Sequence, residues 1–299
     1  MKTATPVLLI ALLTLAAPAA RAQTDLLADL EKQAGPAPRE VVTATFKGTH
    51  IVNAHSVETA GPGTLIFLVQ HRFGALNSGA YEFFGLDQAA LRLGFEYGLN
   101  DRLAVGVGRS SIGKTFDGFV KYRALRQSSG AGAMPVSLTL LAAPAIMTVK
   151  FGAAPAGAER STASRVSYTY QALLARKFSP NLSAQLMPTL IHRNYVDAPT
   201  GQNDVYALGG GLRQKLSKRV ALTADYFYLL PGHTADNYRN ALGLGVDIET
   251  GGHVFQLLFS NAQSMIESQF VPQTTGQFFS GDIYFGFTLA RNFTVKSQL

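Results

Sequence analysis

The chain has 299 residues, no cysteine and a formal net charge of +7. The lack of cysteine excludes a lipoprotein anchor, a disulfide framework and a thiolate metal site. The basic excess is mild and dispersed, so nucleic acid is not expected as a partner. Beyond the N-terminus no stretch offers about 18 uninterrupted apolar residues, so no membrane-spanning helix is predicted.

The first 22 residues predict a cleaved secretory signal peptide. Lys2 supplies the positive start, Val7–Ala17 is an apolar stretch, and Ala20-Arg21-Ala22 fits the small-x-small cleavage pattern. The apolar stretch is too short for a membrane anchor helix. The mature chain is therefore predicted to begin at Gln23, after export from the cytoplasm.

Residues 23–60 are predicted to form a separate segment that is either periplasmic or plugs the lumen of a barrel. Thr24–Ala34 has the spacing of a short amphipathic helix, and Thr43–Ser56 could be extended. Gly61-Pro62-Gly63 interrupts the chain after it. Counting Thr43–Ser56 as a barrel strand would give an odd number of strands, so it is left outside the wall.

Residues 61–299 are predicted to form an antiparallel transmembrane β-barrel, because most segments alternate apolar and polar side chains. In Gln88–Tyr97, one face carries Ala89, Leu91, Leu93, Phe95 and Tyr97, and the other carries Gln88, Arg92 and Glu96. Period 2 is the strand period, and an apolar face opposite a polar face suits lipid on one side and water on the other. We predict twelve strands at about 64–73, 87–97, 102–110, 115–126, 135–149, 164–178, 181–193, 203–215, 219–230, 238–249, 253–262 and 281–293.

The predicted connections alternate in length. Even-numbered connections are short or rich in Gly and Ser, whereas the odd-numbered ones include the long segments 74–86, 150–163, 194–202 and 263–280. Outer-membrane barrels have short periplasmic turns and longer external loops, so the pattern predicts a periplasmic N-terminus. A soluble β-sandwich would also alternate, but its strands are usually shorter, about 5–6 residues.

Strand parity assigns charged residues to the lumen: Arg92, Lys121, Arg123, Asp225, Arg239 and Asp247. One hypothesis places Arg92 and Lys121 on a polar wall across from Asp225, where they would set ion preference. The alternative is that these groups pair with each other or with the N-terminal segment and stabilise a closed interior. No catalytic residue, cofactor or metal ligand is assigned.

Gly108-Arg109-Ser110-Ser111-Ile112-Gly113-Lys114-Thr115 matches the phosphate-binding pattern GxxxxGK[ST]. A phosphate-binding loop must open into a helix, but the residues that follow alternate as a strand does. We therefore predict a short turn between the third and fourth strands.

His50 and His55 lie five residues apart, which would place them on opposite faces of an extended chain, so no metal site is predicted there. Ser167, His192 and Asn194 supply the side-chain types of a hydrolase triad, although no nucleophile motif singles them out. Gly209-Gly210-Gly211 and the pair Gly243 and Gly245 are expected to mark close packing, with room for the N-terminal segment inside the barrel.

Several strings resemble an uncharacterised bacterial β-barrel family, domain of unknown function 5777. They are His71-Arg72-Phe73-Gly74, Phe83-Phe84-Gly85-Leu86-Asp87, Gly106-Val107-Gly108-Arg109-Ser110-Ser111, Pro188 with His192-Arg193-Asn194, Glu249 to Leu257, and Gly281-Asp282-Ile283 with Gly286-Phe287. The resemblance spans roughly residues 46–293. It implies an outer-membrane-like barrel of a Gram-negative-type bacterium, and it implies no activity or catalytic residue.

The predicted function is a narrow channel or small-solute transporter in contact with outer-membrane lipid. A twelve-stranded lumen lies between the filled eight-stranded barrel and the open sixteen-stranded porin. One alternative is a non-transporting surface or structural barrel that binds a partner through its loops. A membrane-embedded hydrolase is the other. An unblocked lumen would favour transport, and a filled lumen with structured loops would favour the surface barrel.

Overall fold

A computed structural model of the chain describes residues 38–150, 161–196, 201–232, 234–250 and 253–295. The predicted signal peptide and the predicted helix Thr24–Ala34 lie outside these residues. The chain divides into two compact units, residues 1–40 with 128–133 and residues 41–127 with 134–299, and the second contains a barrel. Two short strands, Glu40–Val41 and Ser128–Ser129, are not part of that barrel.

Twelve antiparallel strands close the barrel, as predicted. Each strand pairs with its neighbour in sequence, and the first and last strands pair with each other to complete the ring. In chain order they are β1 Thr64–Ala75, β2 Ala89–Gly98, β3 Leu103–Ser110, β4 Thr115–Leu125, β5 Ser137–Met147, β6 Val166–Lys177, β7 Leu182–Arg193, β8 Asp204–Lys215, β9 Val220–Leu229, β10 Ala241–Thr250, β11 His253–Ser260 and β12 Tyr284–Thr294.

The apolar face of the wall is the exposed one. In β2, Leu91 and Phe95 are 37% and 46% exposed, whereas the residues that follow each of them, Arg92 and Glu96, are 3% and 2% exposed. A soluble sandwich would bury its apolar face, so this arrangement rejects that alternative. Apolar residues outside and polar residues inside are the pattern of a transmembrane barrel.

The two ends of the barrel differ in the length of their connections. Residues 99–102, 178–181 and 216–219 are tight turns at one end, here called the short-turn end. The β5–β6 and β11–β12 connections, residues 148–165 and 261–283, are the longest at the opposite, long-loop end. This is the predicted alternation of even and odd connections.

The phosphate-loop pattern occupies the turn between β3 and β4. Ile112–Lys114 is a single 3-10 turn, Gly113 has φ +60°, and β4 begins directly at Thr115. No helix follows, so backbone N–H groups are not gathered at a helix N-terminus to hold a phosphate. The predicted turn is therefore present.

One short α-helix, α1, spans Glu267–Gln273 within the β11–β12 connection. The sequence prediction placed the helical segment before the barrel, and among the described residues the α-helix lies near the C-terminus instead. Glu267 to Pro272 are all buried, which means that this helix has no polar outer face to signal it. No helix in the described ranges is long and apolar enough to cross a membrane.

Candidate functional site

Residues 45–60, here called the inner segment, lie just before β1 in the sequence. Every residue from Thr49 to Val57 is buried. Ile51 N–H donates to Ala54 O at 2.8 Å and Ser56 N–H to Thr49 O at 2.9 Å, so the segment doubles back on itself. The extended course predicted for Thr43–Ser56 is therefore wrong, because these bonds fold it into a tight hairpin.

Asp225 on β9 holds the tip of this hairpin. Its Oδ2 accepts hydrogen bonds from the backbone N–H groups of Val52, Asn53 and Ala54 at 3.1, 2.6 and 2.9 Å. Its Oδ1 accepts a fourth from Asn53 Nδ2 at 2.9 Å. A carboxylate that accepts several backbone N–H groups is a strong anchor, because hydrogen bonds to an ionised acceptor exceed neutral ones in strength.

Lys121 on β4 holds the opposite side of the hairpin. Its ammonium donates to the backbone carbonyls of Thr49, Ser56 and Glu58 at 3.0, 3.2 and 3.1 Å. All three donor positions of the ammonium are therefore used. Lys121 and Asp225 thus bind the same segment from two sides of the barrel.

Further hydrogen bonds attach the inner segment to strands around the whole ring. The inward partners are Arg72 on β1, Thr139 on β5, Gln185 on β7 and Gln256 on β11. One short hairpin can reach so many strands only if it lies inside the barrel. The strands that it contacts are β1, β4, β5, β7, β9 and β11. The backbone polar groups of the hairpin are thereby satisfied by wall side chains.

Glycines on β8 and β10 make room for the hairpin. A Cβ at Gly211 would lie 2.4 Å from Ile51 Cδ1, and one at Gly243 would lie 2.5 Å from Asn53 Nδ2. A Cβ at Gly245 would be 3.3 Å from Val52 Cγ2. Gly211, Gly243 and Gly245 let the hairpin approach the wall closely, as expected, whereas a Cβ at Gly209 would meet the wall side chains of Phe227 and Met187 and one at Gly210 would meet nothing within 4 Å.

Helix α1 enters the barrel from the long-loop end and meets the hairpin. Phe270 packs edge-on against Phe227 of β9 with ring centroids 5.3 Å apart, and Gln269 Nε2 donates to Thr115 Oγ1 at 2.8 Å. Glu267 Oε1 accepts from His55 N–H at 3.3 Å. The inner segment and α1 together occupy the part of the barrel interior in which they contact each other.

Four of the six predicted lumen residues have partners on the inner segment or on the inner face of the wall. Lys121 and Asp225 bind the inner segment, as described. Arg92 pairs with Asp117 and donates to Gln70 at 2.7 Å. Arg123 lies 3.5 Å from Glu58 of the inner segment. The inner segment thus occupies the space between Lys121 and Asp225, where an ion passage was one hypothesis. These contacts match the alternative, in which the charged groups stabilise a closed interior.

Asp247 and Arg239 differ in position. Asp247 is buried and accepts from Gln256 Nε2 at 2.8 Å. Arg239 precedes β10, which begins at Ala241, and lies exposed in a loop. Its assignment to the lumen is corrected, because the strand starts later than the alternation suggested and Arg239 instead bonds to loop carbonyls of Asp236 and Tyr238.

His50 and His55 face each other, contrary to the prediction of opposite faces. The hairpin pairs the two residues, and their ring centroids are 4.2 Å apart. Burial, together with the nearby positive charge of Lys121, lowers the pKa of both imidazoles well below the ordinary value, so both are neutral. Burial raises the pKa of the neighbouring Glu267 to about 7. His50 Nδ1 lies 3.6 Å from Glu96 Oε1.

A cavity of about 180 Å³ lies at the long-loop end beside α1. Arg165, Arg193, Ser268 and Gln269 contribute to its lining. Three buried lining atoms have no hydrogen-bond partner within the described residues: Arg193 Nε, Ser268 Oγ and Gln269 Oε1. Buried polar atoms rarely lack a partner, so this cavity is suited to a small polar solute.

The candidate triad is not assembled. Ser167 pairs across the ladder with Arg193, and His192 pairs with Tyr168, so Ser167 and His192 lie on opposite faces of the wall. His192 Nδ1 contacts Asp204 Oδ1 at 2.7 Å on an exposed surface. Asn194 Nδ2 donates to Ala163 O. The three residues therefore have separate partners.

Several solved outer-membrane proteins are similar to this chain at low identity. The NanC porin is 7% identical, with a TM-score of 0.48, over 76% of this chain and 98% of that one. The KdgM porin is 9% identical, with a TM-score of 0.46, over 77% and 99%. An outer membrane channel from Pseudomonas putida F1 is 13% identical, with a TM-score of 0.46, over 83% and 99%. Among curated proteins, none matches the sequence.

Residues 46–293 match the family described as membrane bound beta barrel domain, DUF5777. The match begins at Phe46, so it takes in nearly the whole inner segment together with the wall. Closed barrels that cross a membrane with strands are outer-membrane proteins, which agrees with the predicted localisation in a Gram-negative-type bacterium. The chain belongs to this family of membrane-bound β-barrel domains, as its sequence motifs predicted.

Proposed function

We propose that the protein is an outer-membrane channel or small-solute transporter whose passage is closed by the inner segment. The observation that carries the proposal is the way the interior is filled. The hairpin is attached through hydrogen bonds to inward polar side chains, chiefly Asp225 and Lys121. Wall side chains alone fill the interior of eight-stranded barrels, whereas here a separate segment, attached through hydrogen bonds that water can replace, occupies a wider one.

The proposed passage carries charged side chains on its wall once the hairpin leaves it. Arg72, Arg92, Glu96, Lys121, Asp225 and Asp247 all face inward and are at most 3% exposed with the hairpin in place. Water can replace the hydrogen bonds that the hairpin makes to Lys121 and Asp225. Release also uncovers apolar side chains of the wall, such as Phe119, Met187 and Phe227, which cluster with the hairpin in the closed state. The cost of exposing them favours the closed state, so we expect the open state to be the minor one.

The cavity at the long-loop end supports a small solute with hydroxyl or anionic oxygen atoms. Arg193 Nε can donate to such an oxygen, and Gln269 Oε1 can accept from a hydroxyl. The position beside α1 places such a solute next to the element that meets the hairpin. Solute binding and opening would then act on the same contact, between Glu267 and His55.

A non-transporting surface barrel is the second candidate, and the filled interior is the observation that favours it. In that case the hairpin and α1 stabilise the barrel, and the long loops bind a partner. The two candidates differ in one property, which is whether removal of the hairpin yields an ion-conducting pore.

Planar-bilayer recording of the refolded protein separates the two. The wild type is compared with a chain whose inner-segment residues 47–58 are replaced by a Gly/Ser linker of equal length. We expect rare, brief openings in the wild type and sustained conductance in the variant. Heat-modifiable migration in gels verifies that the variant barrel has folded. A folded variant without conductance would establish the surface barrel instead.

A further inference from the structure

We propose that His50, His55 and Glu96 bind a divalent transition-metal ion of the zinc type, which ties the inner segment to β2 of the barrel wall. The site does not depend on the proposed transport function, because a non-transporting barrel would contain the same residues. The two imidazoles come from the hairpin, and the carboxylate comes from the wall. Two histidines and a carboxylate are a common ligand set for zinc.

The geometry brings one ligand atom from each residue within 4.8 Å of the others. His50 Nδ1 and Glu96 Oε1 are 3.6 Å apart, close to the spacing of about 3.4 Å between ligands of a tetrahedral zinc ion with bonds of about 2.1 Å. The limit of 4.8 Å within which the three ligand atoms lie exceeds that spacing, so a bound ion would draw the ligands closer together.

Two of the three residues carry buried atoms that lack a partner. In the described chain, His55 Nδ1 and Glu96 Oε1 are both buried and accept or donate no hydrogen bond. His55 is 3% exposed and Glu96 is 2% exposed. Buried polar atoms are normally satisfied, so two such atoms on residues of one cluster indicate a missing partner. A metal ion would satisfy both.

The surrounding charges allow a cation at this position. Lys121, Arg92 and Arg72 are the nearby cations. The Lys121 ammonium donates to three carbonyls, Arg92 is paired with Asp117, and Arg72 donates to Asn53 Oδ1. Glu96 and Glu267 contribute two carboxyl groups on either side of the histidines.

A fourth ligand position is available next to His55. Glu267 Oε1 lies 3.8 Å from His55 Nε2. A cavity of about 10 Å³ beside the two histidines is also lined by Arg92, Asp117 and Glu267, though not by Glu96, and a space of that size accommodates one water molecule. Glu267 does not belong to the group of three residues whose ligand atoms lie within 4.8 Å of one another, so a water molecule is the fourth ligand in this proposal.

The test uses the full chain, refolded in detergent, stripped with a chelator and titrated with zinc chloride by calorimetry. We expect one zinc ion per chain with a dissociation constant in the micromolar range or below. His55→Ala and Glu96→Gln should each weaken binding at least tenfold. His192→Ala is the matched control, since His192 is exposed and pairs with Asp204, and it should bind zinc as the wild type does.

A second measurement keeps the test decisive if a variant folds poorly. X-ray absorption of the zinc-loaded wild type should show nitrogen and oxygen ligands with the scattering pattern of two imidazoles. Absence of a stoichiometric zinc ion in the folded wild type would overturn the proposal. Equal zinc affinity in the wild type and in folded His55→Ala would overturn it as well, because it would place the ion elsewhere.

Discussion

Replacing Asp225 by alanine is expected to release the hairpin from the barrel wall. The change removes all four hydrogen bonds that the carboxylate accepts from Val52, Asn53 and Ala54. Three of the donors are backbone N–H groups that cannot turn toward another partner while the hairpin stays in place. They would be left buried and unsatisfied in the closed state, whereas water satisfies them in the released state.

The magnitude follows from the number of orphaned donors. An unsatisfied buried donor costs about 1–3 kcal/mol, so three backbone donors destabilise the closed state by roughly 3–9 kcal/mol. Water that enters the space left by the carboxylate reduces this, so the lower end of about 3 kcal/mol is the working value. Since about 1.4 kcal/mol is a factor of ten, the ratio of released to closed chains should rise roughly 100-fold.

Hydrogen exchange measures this directly, because the amides of Val52, Asn53 and Ala54 are themselves the donors. In Asp225→Ala their exchange should accelerate about 100-fold, the factor obtained above from the cost of unsatisfied donors. Asp225→Asn keeps an acceptor oxygen and should give an intermediate acceleration. Asp247→Asn is the matched control, since Asp247 is also buried and inward but bonds to the wall residues Gln256 and Thr223.

Unchanged exchange at these three amides in a folded Asp225→Ala barrel would refute the reasoning. It would mean that the remaining contacts, including those of Lys121, hold the hairpin without the carboxylate. Acceleration spread over the wall strands as well as the hairpin would point to loss of the barrel instead. Heat-modifiable migration distinguishes that case before exchange is measured.

Two further substitutions test the close packing of the hairpin against Gly243 and the assignment of Lys114 to a turn between β3 and β4. Gly243→Val should open the channel at least tenfold more often in bilayer recordings, because even its Cβ would lie 2.5 Å from Asn53 Nδ2. Gly210→Val is its control, since a Cβ there meets nothing within 4 Å, and equal opening in both would contradict the packing argument. Lys114→Ala should leave folding and conductance unchanged because Lys114 lies in a turn; loss of a measurable nucleotide-binding signal would contradict this.

The wall could be predicted from the sequence because its period is local. Successive side chains of a strand point to opposite faces of the wall, so the alternation alone assigns Leu91 to the lipid face and Arg92 to the inner face. Only strand ends were misplaced. Arg239 shows why the ends are hard to place. Loop residues can continue the apolar–polar alternation by chance, and the alternation does not mark the residue at which strand hydrogen bonding begins.

The contents of the barrel could not be predicted in the same way. The parity argument for His50 and His55 assumed an extended chain, but the intervening backbone turns because Asp225, far away in sequence, accepts its N–H groups. Helix α1 was missed because it is buried on all sides and so lacks an amphipathic pattern. The glycines at 211 and 243 were the one sequence signal of close packing.

The attachment of the hairpin also has a consequence for the order of folding. Asn53 and Asp225 are separated by 172 residues, and Ile51 and Gln256 by 205. The hairpin precedes every strand of the wall in the sequence, yet its last partners, Gln256 on β11 and Glu267 on α1, come near the end of the described chain. Contacts so distant in sequence form slowly, because a long loop must close before they stabilise anything. Insertion of the wall and docking of the hairpin are therefore expected as separate kinetic phases.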